Sequence, residues 1–158
     1  MHGFHLETLK NVCVAAEKTI GNLLAMPDFP KDRMGGYLTI RDGFCDIIFI
    51  TVLLGSCKAA RARDYHAFSI EKAHRLFCNK GHISSWQSRV ETDNMYGGAI
   101  RALSCNHIYS FSGLPELADE VVCLETAIHH GSITRDDAEG ITKISNNTMY
   151  RQYLAKHV

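Results

Sequence analysis

Apolar residues recur at three- and four-residue spacing near the start of the chain, at Leu6, Leu9, Val12, Cys13, Ala16, Ile20 and Leu23. That repeat draws one buried stripe on a helix running from about His5 to Leu24. The segment M-P-D-F-P-K-D-R-M-G-G then stops the pattern, because its two prolines and its glycine pair suit neither a helix nor a strand. The connector is read as a surface loop or the mouth of a site. From Tyr37 the periodicity changes: Leu38 and Ile40 alternate with polar neighbours, and Phe44 to Leu54 is almost wholly apolar. Asp42-Gly43 lies between these runs and predicts a β-hairpin with a tight turn in which glycine takes a positive φ. A strand as apolar as the second one is expected to be covered on both faces or to lie centrally in its sheet.

Gly55 and Ser56 break that strand before a second helix, on which Ala67, Ile70, Ala73, His74 and Phe77 fall to one side. Small residues on that side permit close approach to a sheet. Between Asn79 and Asn106 the pattern weakens to a short helix around Ile83 to Val90 and an irregular loop through Gly97 and Gly98. His107 to Phe111 reads as a strand, Gly113-Leu114-Pro115 as a turn, and Glu120 to His129, with Val121, Val122, Leu124 and Ile128, as the returning strand of a second hairpin. Thr134 with Asp137 has the spacing of a helix start, so a terminal helix is predicted from Arg135 to about His157. Helix, hairpin, helix, mixed segment, hairpin, helix is the order of an α+β domain around an antiparallel sheet, with helices on one face or on both.

Composition narrows the function classes. The 158 residues are expected to form a single domain with a core that needs no disulfide or metal. Lys plus Arg equals Asp plus Glu at 17 each, so no basic field is available to hold a nucleic-acid backbone. The six cysteines contain no C-x-x-C pair and several fall in apolar runs, which reads as small buried hydrophobes in a reducing compartment. The first residues carry no signal-peptide pattern, and Ile47 to Leu54, the longest apolar run, is too short to span a bilayer. The expectation is a soluble cytoplasmic protein with no membrane or nucleic-acid partner.

Four stretches taken in order resemble one family. R-D-G-F-C-D-I-I-F-I is similar to the D-x-G-G-x-L-V-A hairpin of the GlcG/HbpS haem-binding family, which also occurs as the C-terminal domain of some cobalamin adenosyltransferases. F-S-I-E-K-A-H-R-L resembles the following helix, a variant of S-x-x-K-A-x-T-A carried here by Ser69, Lys72 and Ala73. I-Y-S-F-S-G-L-P-E-L resembles the F-x-G-G-x-P-L turn, and D-E-V-V-C-L-E-T-A-I-H-H-G-S-I-T-R-D-D-A-E the closing strand, loop and helix start. The chain departs from the family at Ala127-Ile128-His129-His130, where small residues are usual, and at Ser112-Gly113, where a glycine pair is usual. The resemblance implies a profilin-like α+β fold with helices flanking an antiparallel sheet, a homo-oligomer, and binding of haem or a related tetrapyrrole.

Nine histidines supply candidate ligands for haem iron. His129 and His130 come first, because neighbours in an extended chain point opposite ways and one of them can face a pocket. His66 and His74 come second, lying on one helix but roughly two turns apart, too far to chelate one ion together. His2 and His5 sit near the terminus, and His82 and His107 fall where the pattern is weakest. Lys58, Arg61 and Arg63 form one cationic cluster and Lys31 with Arg33 another; they read as solvated surface charges, with a contact to haem propionates as the alternative. No G-x-S-x-G, G-x-x-x-x-G-K or H-E-x-x-H motif is present, so no catalytic residue is assigned. Cys57, beside Lys58 at a helix start, is the thiol whose setting favours a lowered pKa. Trp86 reads as a packing anchor. The leading reading is a protein that binds haem or a similar planar cofactor for handling or sensing; the alternatives are an oligomeric accessory protein without cofactor and a small-molecule enzyme with an intersubunit pocket.

Overall fold

The computed structural model describes residues 4–158, so His2 lies outside the described residues. Helix α1 (Leu6–Leu24) leads into strands β1 (Gly35–Asp42) and β2 (Ile48–Gly55), then helix α2 (Ala59–Cys78). Two short 3-10 turns, Ser85–Ser88 and Glu91–Asp93, precede β3 (Ala99–Ala102) and β4 (His107–Ser112). Helices α3 (Glu116–His129), α4 (Arg135–Ser145) and α5 (Thr148–His157) close the chain. The strands form one antiparallel sheet in the order β2-β1-β4-β3, the α+β, profilin-like architecture expected of the sequence.

Helices cover both faces of that sheet. Leu38 and Ile40 of β1, Ile100 and Ala102 of β3, and Tyr109 and Phe111 of β4 pack with Val12, Ala16, Ile20 and Leu23 of α1 and Val121 and Val122 of α3 in the main core. Their strand neighbours point the other way, where Ala99 and Ile108 meet Ala73 and Leu76 of α2. This second interface is largely polar: Thr39 and Ser69 hydroxyls lie 2.9 Å apart, and the buried Arg41 guanidinium stacks 4.2 Å from the Phe77 ring centre while reaching Asp46 at 2.5 Å.

Several local expectations are corrected. Glu120 to His129 is not a strand but most of α3, which has the sheet and α1 on one side and α4 and α5 on the other. Nearly every residue from Ala118 to Ala127 is buried, and a helix buried all round loses the 3.6-residue alternation that marks a surface helix. The partner of β4 in the second hairpin is instead β3, four residues long, lying where an irregular loop was expected. The apolar strand β2 is neither central nor doubly covered; it is the sheet edge, with Ile48 and Leu53 exposed. The hairpin turn is also longer than a two-residue primed turn. The Asp42 carboxylate accepts hydrogen bonds from the Phe44 and Cys45 amides at 2.6 and 3.0 Å. Gly43 is required by close approach, since a Cβ there would lie 2.3 Å from the Asn106 carbonyl oxygen. The terminal helix is split at Asn146, which takes the left-handed conformation at φ 50°, and Asn147 caps α5 through the Tyr150 amide at 2.9 Å. The Thr134 and Asp137 start is a reciprocal capping box as anticipated.

Three buried ionisable side chains tie these layers together. Lys72 reaches from α2 past the end of the sheet, donating to Asp119 of α3 at 2.9 Å and to the Phe111 carbonyl at 2.8 Å. Gly98, at φ 102°, leaves the space, for a Cβ there would stand 2.6 Å from the Asp119 Cβ. Glu120, one residue on, accepts from Ser145 at 2.5 Å, Asn147 at 2.9 Å and Ser84 at 3.3 Å, so it anchors α4, α5 and the first 3-10 turn to α3.

Removing Lys72 alone leaves a buried carboxylate without a counterion, so Lys72→Met is expected to cost about 3–5 kcal/mol in urea unfolding. Adding Asp119→Asn, which still accepts from the Leu114 amide, should recover much of that loss; a double variant no more stable than the single would refute the assignment. Among the described residues Glu120 has no cationic partner, and burial raises its carboxyl pKa in the fold. A raised folded-state value means that the contribution to stability is full below the unfolded value, about 4.3, and is lost as pH rises through the folded value. Glu120→Gln should therefore raise the thermal midpoint at pH 7, with the gain shrinking as the pH is lowered to about 4, as followed by calorimetry.

Candidate functional site

At the end of the sheet where Lys72 meets Asp119, three segments converge on a cleft. Helical spacing along the opening of α2 puts Arg61, Tyr65, Phe68 and Lys72 on one stripe. The proline-containing connector after α1 brings Arg33 across to this stripe, where its guanidinium donates to the Tyr65 hydroxyl at 2.9 Å and to the Gly113 carbonyl at 3.3 Å. The third wall is the turn from β4 into α3. Gly113 adopts φ 149° there and lies so close to β1 that a Cβ would be 2.2 Å from the Gly35 carbonyl oxygen. The Asp119 carboxylate holds the same turn by accepting from the Leu114 amide at 2.9 Å. The buried ion pair thus shapes the site floor as well as the fold.

The enclosed space is about 420 Å³, bounded further by Asn94, Tyr96 and Glu116. An adjoining cavity of about 370 Å³ shares Arg33, Arg61, Tyr65 and Gly113 and adds Met34, Cys57 and Lys58. Both guanidinium groups sit near one aromatic ring, with Arg33 5.8 Å and Arg61 5.4 Å from the centre of Tyr65. Two of the acids here are engaged inside the protein. Glu116 takes Arg89 in a fork at 2.9–3.1 Å and the Gly97 amide at 2.9 Å, and against the effect of burial these contacts hold its pKa below the ordinary carboxylate range. Asp119 is paired with Lys72; burial pushes its carboxyl up to about 6 while Lys72 pulls the other way. The remaining acids touch the cleft cations only loosely, Asp64 at 3.9 Å from Arg61 and Asp32 at 4.0 Å from Arg33.

The histidines predicted as ligands do not converge. His66 is exposed on α2 with its ring edge-on to Tyr37 at 5.1 Å, and His74, also exposed, places its two ring nitrogens 3.4 Å from Arg41 and from the Cys78 sulfur. His129 and His130 occupy the end of α3 rather than a strand. His129 is exposed; His130 is half-buried, its Nδ1 2.7 Å from the Tyr109 hydroxyl and 2.9 Å from the Ser132 hydroxyl, its ring stacked on Phe4 at 4.6 Å. None of the four lines either cavity of the cleft. Among the described residues, no group of three or more His, Cys, Asp and Glu side chains is arranged to hold a metal ion.

Sequence reasoning separated the cations that the fold unites. Arg61 and Lys58 on one side and Arg33 on the other form one lining, while Lys31 and Arg63 stand outside it. Tyr65, Tyr96 and Asp119 had no visible role in the sequence; the signal that pointed to part of the lining was the helical spacing of Arg61, Tyr65, Phe68 and Lys72. Trp86 is a packing anchor, with its ring against Gly97 and beneath Arg89 at 5.0 Å. No helix among the described residues is long and apolar enough to cross a membrane. Comparison of the chain with known protein families, with curated proteins and with solved structures finds no match.

Proposed function

We propose that this chain is a small binding protein whose cleft receives a planar ligand carrying carboxylates, with haem or a related tetrapyrrole as the member of that class to test first, for handling or sensing of the cofactor. The observation that carries this reading is the placement of Arg33 and Arg61 around the single Tyr65 ring at the junction of the two cavities. Guanidinium groups pair with carboxylates in a bidentate fork, and an aromatic face accepts a flat ring. In this reading Arg33, Arg61 and Lys58 hold the propionates. Tyr65, Tyr96, Met34 and Cys57 are the lining residues of types that ligate haem iron. The histidines lie elsewhere.

Self-association belongs to the same reading. Strand β2 carries no charged side chain from Ile48 to Gly55, leaves Ile48 and Leu53 exposed, and has no partner on its outer edge among the described residues, so a second β2 can continue the sheet. A reducing, cytoplasmic setting fits six cysteines that are all unpaired.

Haemin titration tests the ligand. A saturable Soret shift is expected for the protein and for His129→Ala/His130→Ala, with affinity reduced about tenfold or more in Arg33→Ala and Arg61→Ala, each of which loses a charge-assisted contact. An absent shift sinks the haem reading; loss only in the histidine variant moves the ligand to the other end of the sheet. For assembly, sedimentation should give a species larger than the 17.7 kDa chain and a shift toward monomer in Leu53→Lys. A wild-type monomer at micromolar concentration would remove the β2 contact.

A further inference from the structure

The floor of the cleft is the Lys72 and Asp119 pair, and the charges on the walls are coupled to it. Both side chains bound the space of about 420 Å³ although they are only 1% and 3% exposed. The ammonium donates to Asp119 at 2.9 Å and to the Phe111 carbonyl at 2.8 Å, so among the described residues one of its three N–H groups has no acceptor. On the other side a single peptide group links Asp119 to a wall cation. The Leu114 amide donates to the Asp119 carboxylate at 2.9 Å, and the Gly113 carbonyl of the same peptide accepts from Arg33 at 3.3 Å. A change of charge at Arg33 is therefore felt at Asp119, through space and through the peptide that both of them hold.

We infer that anion binding in this cleft is coupled to proton uptake by the Lys72 and Asp119 pair, so that the ligand is held more tightly as the pH falls. The inference rests on the reading of the cleft as a carboxylate site and supplies its regulation. With Asp119 ionised the pair has no net charge; with a proton added it carries one positive charge. Arg33 favours the ionised carboxylate, and an anion gripped by Arg33 cancels that influence, so Asp119 holds a proton more readily in the complex. Reciprocity then requires the protonated pair to bind the anion more tightly by the same factor. Burial is the larger influence on Asp119 and pushes its carboxyl up to about 6 against Lys72 and Arg33, which places the rise in affinity between about pH 8 and pH 5.5.

Other titratable groups surround the pair. Arg61, Asp64 and Tyr65 face it from α2, Tyr96 from the segment before β3, and Glu116 from the first turn of α3, while Asp32 stands beside Arg33. Glu116 is fixed in its charged form by Arg89 and the Gly97 amide. Behind the pair, Cys123 donates to the Gly98 carbonyl at 3.4 Å with its thiol pushed up by burial, and Glu120 turns away to Ser145 and Asn147. Among the described residues no histidine lines the cleft. The proton is assigned to Asp119 because it is the acid of the floor that burial raises and that shares a peptide group with Arg33.

The test uses the intact chain and naphthalene-2,6-dicarboxylate, a flat dianion whose carboxylates stay ionised over this range. Isothermal titration in two buffers of different ionisation enthalpy counts the protons taken up with each ligand. A rise of about one unit at Asp119, the low end of what a neighbouring charge produces, predicts about half a proton at about pH 6.5 and an affinity about sevenfold higher at about pH 5.5 than at about pH 8. Asp119→Asn keeps an acceptor for the Leu114 amide but cannot take the proton, so it should bind with the low-pH affinity throughout and take up none. Arg33→Ala and Arg61→Ala should weaken binding at every pH. Arginine-dependent binding without proton uptake, or uptake that persists in Asp119→Asn, overturns the inference and leaves the carboxylate cleft standing. Binding that is absent, or indifferent to both arginines, removes the cleft reading and the inference with it. Should Asp119→Asn fail to fold, the carbon-13 resonance of the Asp119 carboxyl in the wild-type chain decides the question. Its midpoint should rise by about one unit when the probe saturates the cleft, and an unmoved midpoint overturns the inference.

Discussion

The ion pair between Lys72 and Asp119 is the constraint on which this architecture turns. α2 and α3 lie on opposite faces of the sheet, and the pair joins them around its end, both side chains almost entirely buried. Two charges withdrawn from water are favourable only when their remaining hydrogen-bonding capacity is filled. That requirement is met by the Phe111 carbonyl and the Leu114 amide, the first in β4 and the second in the turn that follows it. The positions of both helices, the end of the sheet and the β4–α3 turn are thereby fixed by one set of contacts. Gly98 follows from the same geometry, since a side chain there would collide with Asp119 and Lys72, while Gly113 is needed where the β4–α3 turn passes against Gly35 and Gly36 of β1.

The candidate cleft is a consequence of this clamp. Lys72 and Asp119 form its floor, the Gly113 carbonyl that binds Arg33 belongs to the turn that Asp119 holds, and Tyr65 lies two turns before Lys72 on the same face of α2. With Asp119 and Glu116 satisfied internally, the guanidinium groups of Arg33 and Arg61 are left with only loose acidic partners. The other end of the sheet is organised differently. There Tyr109, His130 and Ser132 are joined by mutual hydrogen bonds where β4 meets the end of α3, without the ion pair. The fold therefore carries two chemically distinct ends, one cationic and aromatic, the other built of hydroxyls and imidazole.

Much of the scaffold was legible in the chain. Helix α1 repeats its apolar residues cleanly because only one side of it is covered, and the Thr134 and Asp137 start of α4 is local chemistry that needs no tertiary context. The β1–β2 hairpin was legible for the same reason, although its turn is set by the Asp42 carboxylate and by contact with Asn106. Helix α3 was not legible, because burial on all sides erases the polar face that gives a helix its period. The apolar sequence of β2 pointed to the sheet centre; α2 instead crosses β1, β4 and β3 and leaves that strand at the edge.

What the sequence by itself determined is therefore the set of local elements and their class, since periodicity, caps and turns act over a few residues. What only the tertiary structure decided is which chemistry comes together. Arg33 and Arg61 belong to separate segments that meet because α2 is clamped to α3, and Tyr109 acquires Ser132 from beyond the end of a helix whose existence the chain concealed. The histidine pair at 129–130 was conspicuous in sequence and ends apart from the cleft, because the segment that carries it is a helix terminus and not a strand end. Contacts between residues distant in the chain are fixed by packing and buried charge, and neither leaves a local pattern to read.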